Sequence, residues 1–218
     1  MKIIKKGLST FLIVLCSVFV FASSSYAYEY LYNRVLNVPT YKQEKSYWCG
    51  PACLQMVIKY VTGSTISQAT LASEAGTTAT HGTFVYRMAE ALRANSVNSK
   101  YYSIYDVDFD TTLRSSLDKR IPAIAHLCTR YLPVYNGKNY GHYVVLRGRY
   151  IYINAPGIEP QSVKETCGGE LAQAIYINNV YYTDPFDGRP GVYGRHTVPL
   201  SVMLMAIKDN AGYFIASK

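Results

Sequence analysis

The chain has 218 residues, with 22 basic and 14 acidic side chains, a formal charge of +8 at pH 7 and 49% apolar residues. The basic residues do not cluster and no nucleic-acid motif is present, so the charge reads as a solvated surface and nucleic acid is excluded as an expected partner. No histidine pair has metal-ligand spacing and Cys49-x₃-Cys53 has no matching second half, so neither zinc nor any other cofactor is expected.

Lys2, Lys5 and Lys6 precede an apolar run from Leu8 to Ala22, followed by Ser23, Ser24, Ser25, Tyr26 and Ala27. A basic start, an apolar stretch and a small-x-small cleavage site predict a signal peptide over residues 1–27. The run is too short and too promptly followed by polar residues for a membrane span, so no stable membrane insertion is expected after cleavage. The mature chain would then be residues 28–218, one secreted, extracellular domain. Three lysines and no acid leave with the leader, so 19 basic residues remain against 14 acidic ones, a formal +5.

Residues 28–39 read as an extended lead-in to the stretch from Gln43 to Cys53. After Cys49, the residues Ala52, Met56, Val57, Tyr60 and Val61 recur at three- and four-residue steps, the period of a helix face, and Pro51 suits a first helical turn. Cys49 then sits at the helix start, where unpaired backbone N–H groups and the positive end of the helix dipole favour thiolate over thiol. Six residues upstream, Gln43 offers an amide N–H₂ that could join the Cys49 backbone N–H in stabilising an oxyanion.

Further helices are expected from Gln68 to Ala75 after a Ser67 cap, from Thr83 as a cap through Leu92, and after Asp110 with Leu113 and Leu117 on one face. The second half changes period. Residues 121–128, 143–146, 149–153 and 174–183 are rich in Ile, Val and Tyr and punctuated by Gly, Pro and Asn, which predicts strands. A short helix over 201–207 and a strand over 213–216 close the chain. Helices followed by an antiparallel sheet make an α+β fold. Several of the 22 tyrosines, among them Tyr143, Tyr150, Tyr152, Tyr176, Tyr181 and Tyr182, fall in the strand runs, where an amphipathic ring suits a half-buried sheet face.

Of four histidines, His142 follows Gly141 and opens an apolar strand, a position from which an imidazole can reach a cleft. His126 lies within a strand run and reads as a packed structural residue; His81 and His196 read as loop residues. In Gln43, the Trp48 to Ala52 run, Gly141-His142-Tyr143-Val144-Val145 and Thr183-Asp184-Pro185, the chain resembles the papain-like cysteine peptidases that trim double-glycine leaders from bacteriocins, and more particularly their stand-alone exported relatives. The four motifs stand in the family's order. The resemblance implies a papain-like split between a helical lobe carrying the cysteine and a sheet lobe carrying His142 and Asp184. It assigns Cys49 as nucleophile, His142 as base, Asp184 as the acid that orients it and Gln43 as oxyanion donor.

Asp184 lies 42 residues beyond His142, farther than the family pattern, with an apparent insertion over 154–174 between them. Asn154, which ends the first strand after His142, is the alternative orienter. A nucleophile must stay free, so at most one disulfide can form among Cys53, Cys128 and Cys167, with Cys128–Cys167 the pairing that would pin the insertion to the sheet. The chemistry expected is amide hydrolysis of a peptide or protein substrate. The alternatives are an exported papain-like binding module and an acyl transferase using the same residues. Oligomeric state is not legible.

Overall fold

The computed structural model describes residues 29–154, 175–186 and 191–218; the expected leader, Cys167 and most of the 154–174 segment lie outside the described residues. Residues 30–153 and 175–218 make one unit, to which everything below belongs except the terminal residues Glu29 of the first strand and Asn154 of the fourth. Its elements run in the order β1 (Glu29–Val35), α1 (Cys49–Thr62), α2 (Gln68–Glu74), α3 (Val85–Ala94), β2 (Ser99–Ser103), α4 (Phe109–Asp118), β3 (Ala123–Cys128), β4 (Gly141–Asn154), β5 (Ile175–Asp184), β6 (Gly194–Pro199), α5 (Leu200–Lys208) and β7 (Tyr213–Ser217). Among the described residues, no helix is long and apolar enough to cross a membrane.

The α1 helix is more than amphipathic. Every residue from Gly50 to Ile58 is buried, so its first turns are enclosed on all sides. It packs against α2 and α3. Ser67 caps α2 as expected, accepting the Thr70 N–H. Thr83 does not cap α3: Phe84 holds that position without a side-chain bond, and the Thr83 hydroxyl pairs with that of Thr77.

The sheet runs β2-β7-β3-β4-β5-β6, with β1 added beside β4. It therefore draws two strands from the helical first half of the chain. The expected strands 143–146 and 149–153 are one continuous strand, β4, which passes straight through Gly148. A β-carbon there would stand 2.9 Å from the Arg34 carbonyl oxygen, so the close approach of β1 needs a glycine. Arg149, fully buried, gives its Nε to Asp110 at 2.6 Å and Nη1 to the carbonyls of Tyr150 and Asn179, which fastens α4 to the sheet.

β3 and β4 pair antiparallel with Leu127 opposite His142 and Cys128 opposite Gly141. β5 pairs with β6 so that Asp184 lies opposite Gly194. The start of β4 and the end of β5 therefore lie at one rim of the sheet. Cys128 is a free thiol that donates to the Asn139 side-chain carbonyl; Cys167, its expected disulfide partner, lies outside the described residues. Tyr143 and Tyr182 are buried and Tyr150, Tyr152 and Tyr181 half-buried, as sheet rings should be.

Candidate active site

Cys49 is the first residue of α1 and is half-buried. Gly50 follows it because Thr83 comes close: a β-carbon on Gly50 would meet the Thr83 hydroxyl at 2.5 Å. The Thr83 carbonyl in turn accepts the buried Tyr143 hydroxyl at 2.8 Å, so the helix start is wedged against β4. His142 and the backbone N–H groups of Tyr143 and Gly50 are near enough to the Cys49 sulfur to favour its thiolate. Burial pushes the thiol up, but the imidazole and these donors outweigh it and hold Cys49 below its usual range.

His142 is 6% exposed, and its Nε2 lies 2.9 Å from Asp184 Oδ1. That leaves Nδ1 as the nitrogen facing the cysteine. Burial alone would lower the imidazole; the Asp184 charge and hydrogen bond, with Cys49 beyond, override it and raise His142 from 6.5 to about 10. The structure thus brings Cys49, His142 and Asp184 into one row, with His142 hydrogen-bonded to Asp184 and next to the cysteine. Asn154 ends β4, and its side chain lies outside the described residues.

Asp184 is fully buried and surrounded by donors. Its Oδ1 also accepts the Phe186 N–H at 2.9 Å, and its Oδ2 accepts the Tyr135 hydroxyl at 2.9 Å. Gln43 is tied to the same turn, since its backbone N–H donates to the Pro185 carbonyl at 2.9 Å. Its side chain does not point freely at the cysteine. The amide Nε2 lies 2.9 Å from each of the Lys45 and Ser46 carbonyls, while Oε1 is buried without a partner. Gln43 is therefore next to the site with its donors engaged, an arrangement that spacing alone did not foretell.

The cysteine and histidine open onto a cleft of about 470 Å³ whose walls include Ser46, Tyr47, Tyr135, Tyr140 and Phe186. His81, read as a loop residue from sequence, also lines it. His196 is not a loop residue but lies on β6, its Nε2 bonded to the Val192 carbonyl. His126 stacks on Tyr143 with ring centroids 4.4 Å apart; burial, then the nearby His142 charge, lower it to about 4, so it stays a neutral packing ring. Tyr135 is the residue that sequence reasoning missed, because one tyrosine among 22 carries no signal in spacing.

The coupled pair has a defined pH signature. His142, raised above its ordinary 6.5 to about 10, makes a contribution to stability that is full below about 6.5 and lost as pH rises toward the folded value. Cys49, held below its usual range, makes the opposite contribution, present at alkaline pH and lost on acidification, so the two slopes oppose each other in the coupled pair. In Cys49→Ala the opposing slope is gone, while Asp184 remains to raise the imidazole. Urea midpoints should therefore fall more steeply with rising pH in the variant than in the wild type.

The model of the Peptidase_C39 like family matches residues 35–188. A double-glycine motif protease from an AMS/PCAT transporter, solved with its leader peptide, matches with 17% identity and a TM-score of 0.51, covering 87% of this chain and 96% of that one. The peptidase domain of Streptococcus ComA, a bifunctional ABC transporter of a quorum-sensing pathway, matches with 22% identity and a TM-score of 0.46, over 82% and 98% of the two chains. No match is found among curated proteins. The likeness to the first of these structures, with the helices and antiparallel sheet described above, makes the fold papain-like. Because the family match covers well over half of the sequence and includes Gln43, Cys49, His142 and Asp184, this chain belongs to the Peptidase_C39 like family of cysteine peptidases.

Proposed function

We propose that the chain is an exported thiol peptidase that cleaves peptide amide bonds through a Cys49 thioester. The observation that carries this reading is the continuous row from the Cys49 sulfur through His142 to buried Asp184. The thiolate attacks the substrate carbonyl, and the negative charge that develops on oxygen faces the start of α1 with its unpaired N–H groups. The imidazolium gives its Nδ1 proton to the leaving amine as the C–N bond breaks. Neutral His142 then takes a proton from water, whose oxygen attacks the thioester and releases the acid, regenerating the thiolate and imidazolium. Asp184 accepts from Nε2–H throughout and keeps Nδ1 aimed at the sulfur.

Gln43 joins the oxyanion donors by releasing one of its two carbonyl acceptors, which keeps it in the role its motif implies at the cost of a local bond. The lysine-led apolar segment over 1–27 supports export, and the aromatic, weakly charged cleft supports a peptide substrate. The test is iodoacetamide alkylation of the mature protein against pH, with the modified residue located by mass spectrometry. Fast labelling of Cys49 at about pH 6, well below the ordinary thiol value of about 8.5, is the expected result. Slow labelling there would leave a binding module on a peptidase fold as the better account.

A further inference from the structure

We propose that Tyr135 is a positioning residue of this site: its hydroxyl holds the second oxygen of Asp184, so that the first oxygen stays on His142. The inference rests on the catalytic reading above. Asp184 Oδ1 has two donors, His142 Nε2 and the Phe186 N–H, whereas Oδ2 has the Tyr135 hydroxyl at 2.9 Å. With both oxygens engaged, the plane of the carboxylate is set. Without Tyr135 the carboxylate is free to turn about its own axis, and one oxygen is buried bare.

The ring is placed for this task from several sides. Tyr135 is 1% exposed, stacks on Phe186 at 6.0 Å and meets His142 edge-on at 5.9 Å. It closes two short 3-10 turns over 129–135, pinned where the Thr129 N–H donates to the Tyr140 carbonyl and the Tyr140 N–H to the Thr129 hydroxyl. Tyr135 and Phe186 both line the cleft, so these two rings stand between the carboxylate and the substrate space. Tyr182 is also near Asp184, but its hydroxyl is buried without a hydrogen-bond partner, so it does not substitute for Tyr135. The titratable groups facing Asp184 are His142 from β4, Cys53 and, through His142, Cys49 from α1, Tyr182 from its own strand, and Tyr135.

The test compares pH profiles of Cys49 alkylation by iodoacetamide in wild type, Tyr135→Phe, Asp184→Asn and the double variant, with folding checked by circular dichroism. Tyr135→Phe keeps the ring and its stacking and removes only the donor. A carboxylate with one bare buried oxygen no longer keeps its other oxygen fixed on His142, so imidazolium and thiolate lose support sooner on acidification. The acid limb should move up by about half a unit to one unit. In the Asp184→Asn background, where there is no charge to support, Tyr135→Phe should produce no further shift. A limb that stays at the wild-type position, or one that moves equally in both backgrounds, overturns the role of Tyr135 while leaving the catalytic reading intact. A wild-type profile with no reactive acid plateau overturns the catalytic reading, and the Tyr135 role with it.

Discussion

Replacing His142 by Ala should remove most of the reactivity of Cys49 at about pH 6. In the wild type the imidazolium draws Cys49 below its usual range although burial pushes the thiol up. Without the imidazole only the backbone N–H groups of Tyr143 and Gly50 oppose the effect of burial. An ordinary thiol near 8.5 is about 0.3% ionised at pH 6, so the thiolate population of the variant falls to about that level, and lower in a buried setting. The remaining thiolate is more basic and therefore a better nucleophile, which returns part of the loss. The net fall in the alkylation rate should still be at least about tenfold, and the profile should rise only above about pH 8. Alkylation that stays fast in this variant would mean that the helix start alone ionises Cys49, and His142 would lose its place in the mechanism.

Much of this site was legible because its chemistry constrains local sequence. A nucleophile at a helix start needs an apolar helical period after the cysteine and a small residue beside it. Cys49, Gly50 and the face from Ala52 to Val61 supply both, and the 2.5 Å approach of Thr83 shows why the small residue is a glycine. His142 was legible because it opens an apolar strand run after a glycine, whereas Asp184 was marked only by the Thr183-Asp184-Pro185 motif of the family resemblance, with Asn154 as the alternative. What stayed hidden was whatever depends on distant parts of the chain meeting. The donors of Gln43 turn toward Lys45 and Ser46, and no spacing rule states which acceptor a flexible amide selects.

The same division applies to the fold. β2, with the sequence Ser99-Lys100-Tyr101-Tyr102-Ser103, is short and half polar, and it becomes a strand by pairing with β7 near the far end of the chain. β4 was read as two strands because a glycine usually punctuates; here Gly148 makes room for β1 instead. Thr83 looked like a helix cap because its residue type favours one, yet tertiary bonds to Thr77 and Tyr143 claimed its hydroxyl and carbonyl.

Asp184→Ala should lower the hydrolysis of labelled casein by about 10²- to 10⁴-fold, against a few-fold change for Asn154→Ala. Two separate losses combine in the alanine variant. His142 loses the acceptor at 2.9 Å that selects its Nε2–H tautomer, and it loses the charge that raises it to about 10. Asp184→Asn separates them. An asparagine Oδ1 can still accept from Nε2–H and from the Phe186 N–H, while its amide can turn toward the Tyr135 hydroxyl, which then serves as acceptor. Orientation survives and charge does not, so this variant should fall between wild type and alanine. The alkaline limb of its activity profile should move to lower pH, because His142 gives up its proton sooner without the carboxylate beside it. Equal losses in the alanine and asparagine variants would assign the whole effect to charge. A larger loss in Asn154→Ala than in Asp184→Ala would transfer the orienting role to Asn154 and break the row on which the proposed mechanism depends.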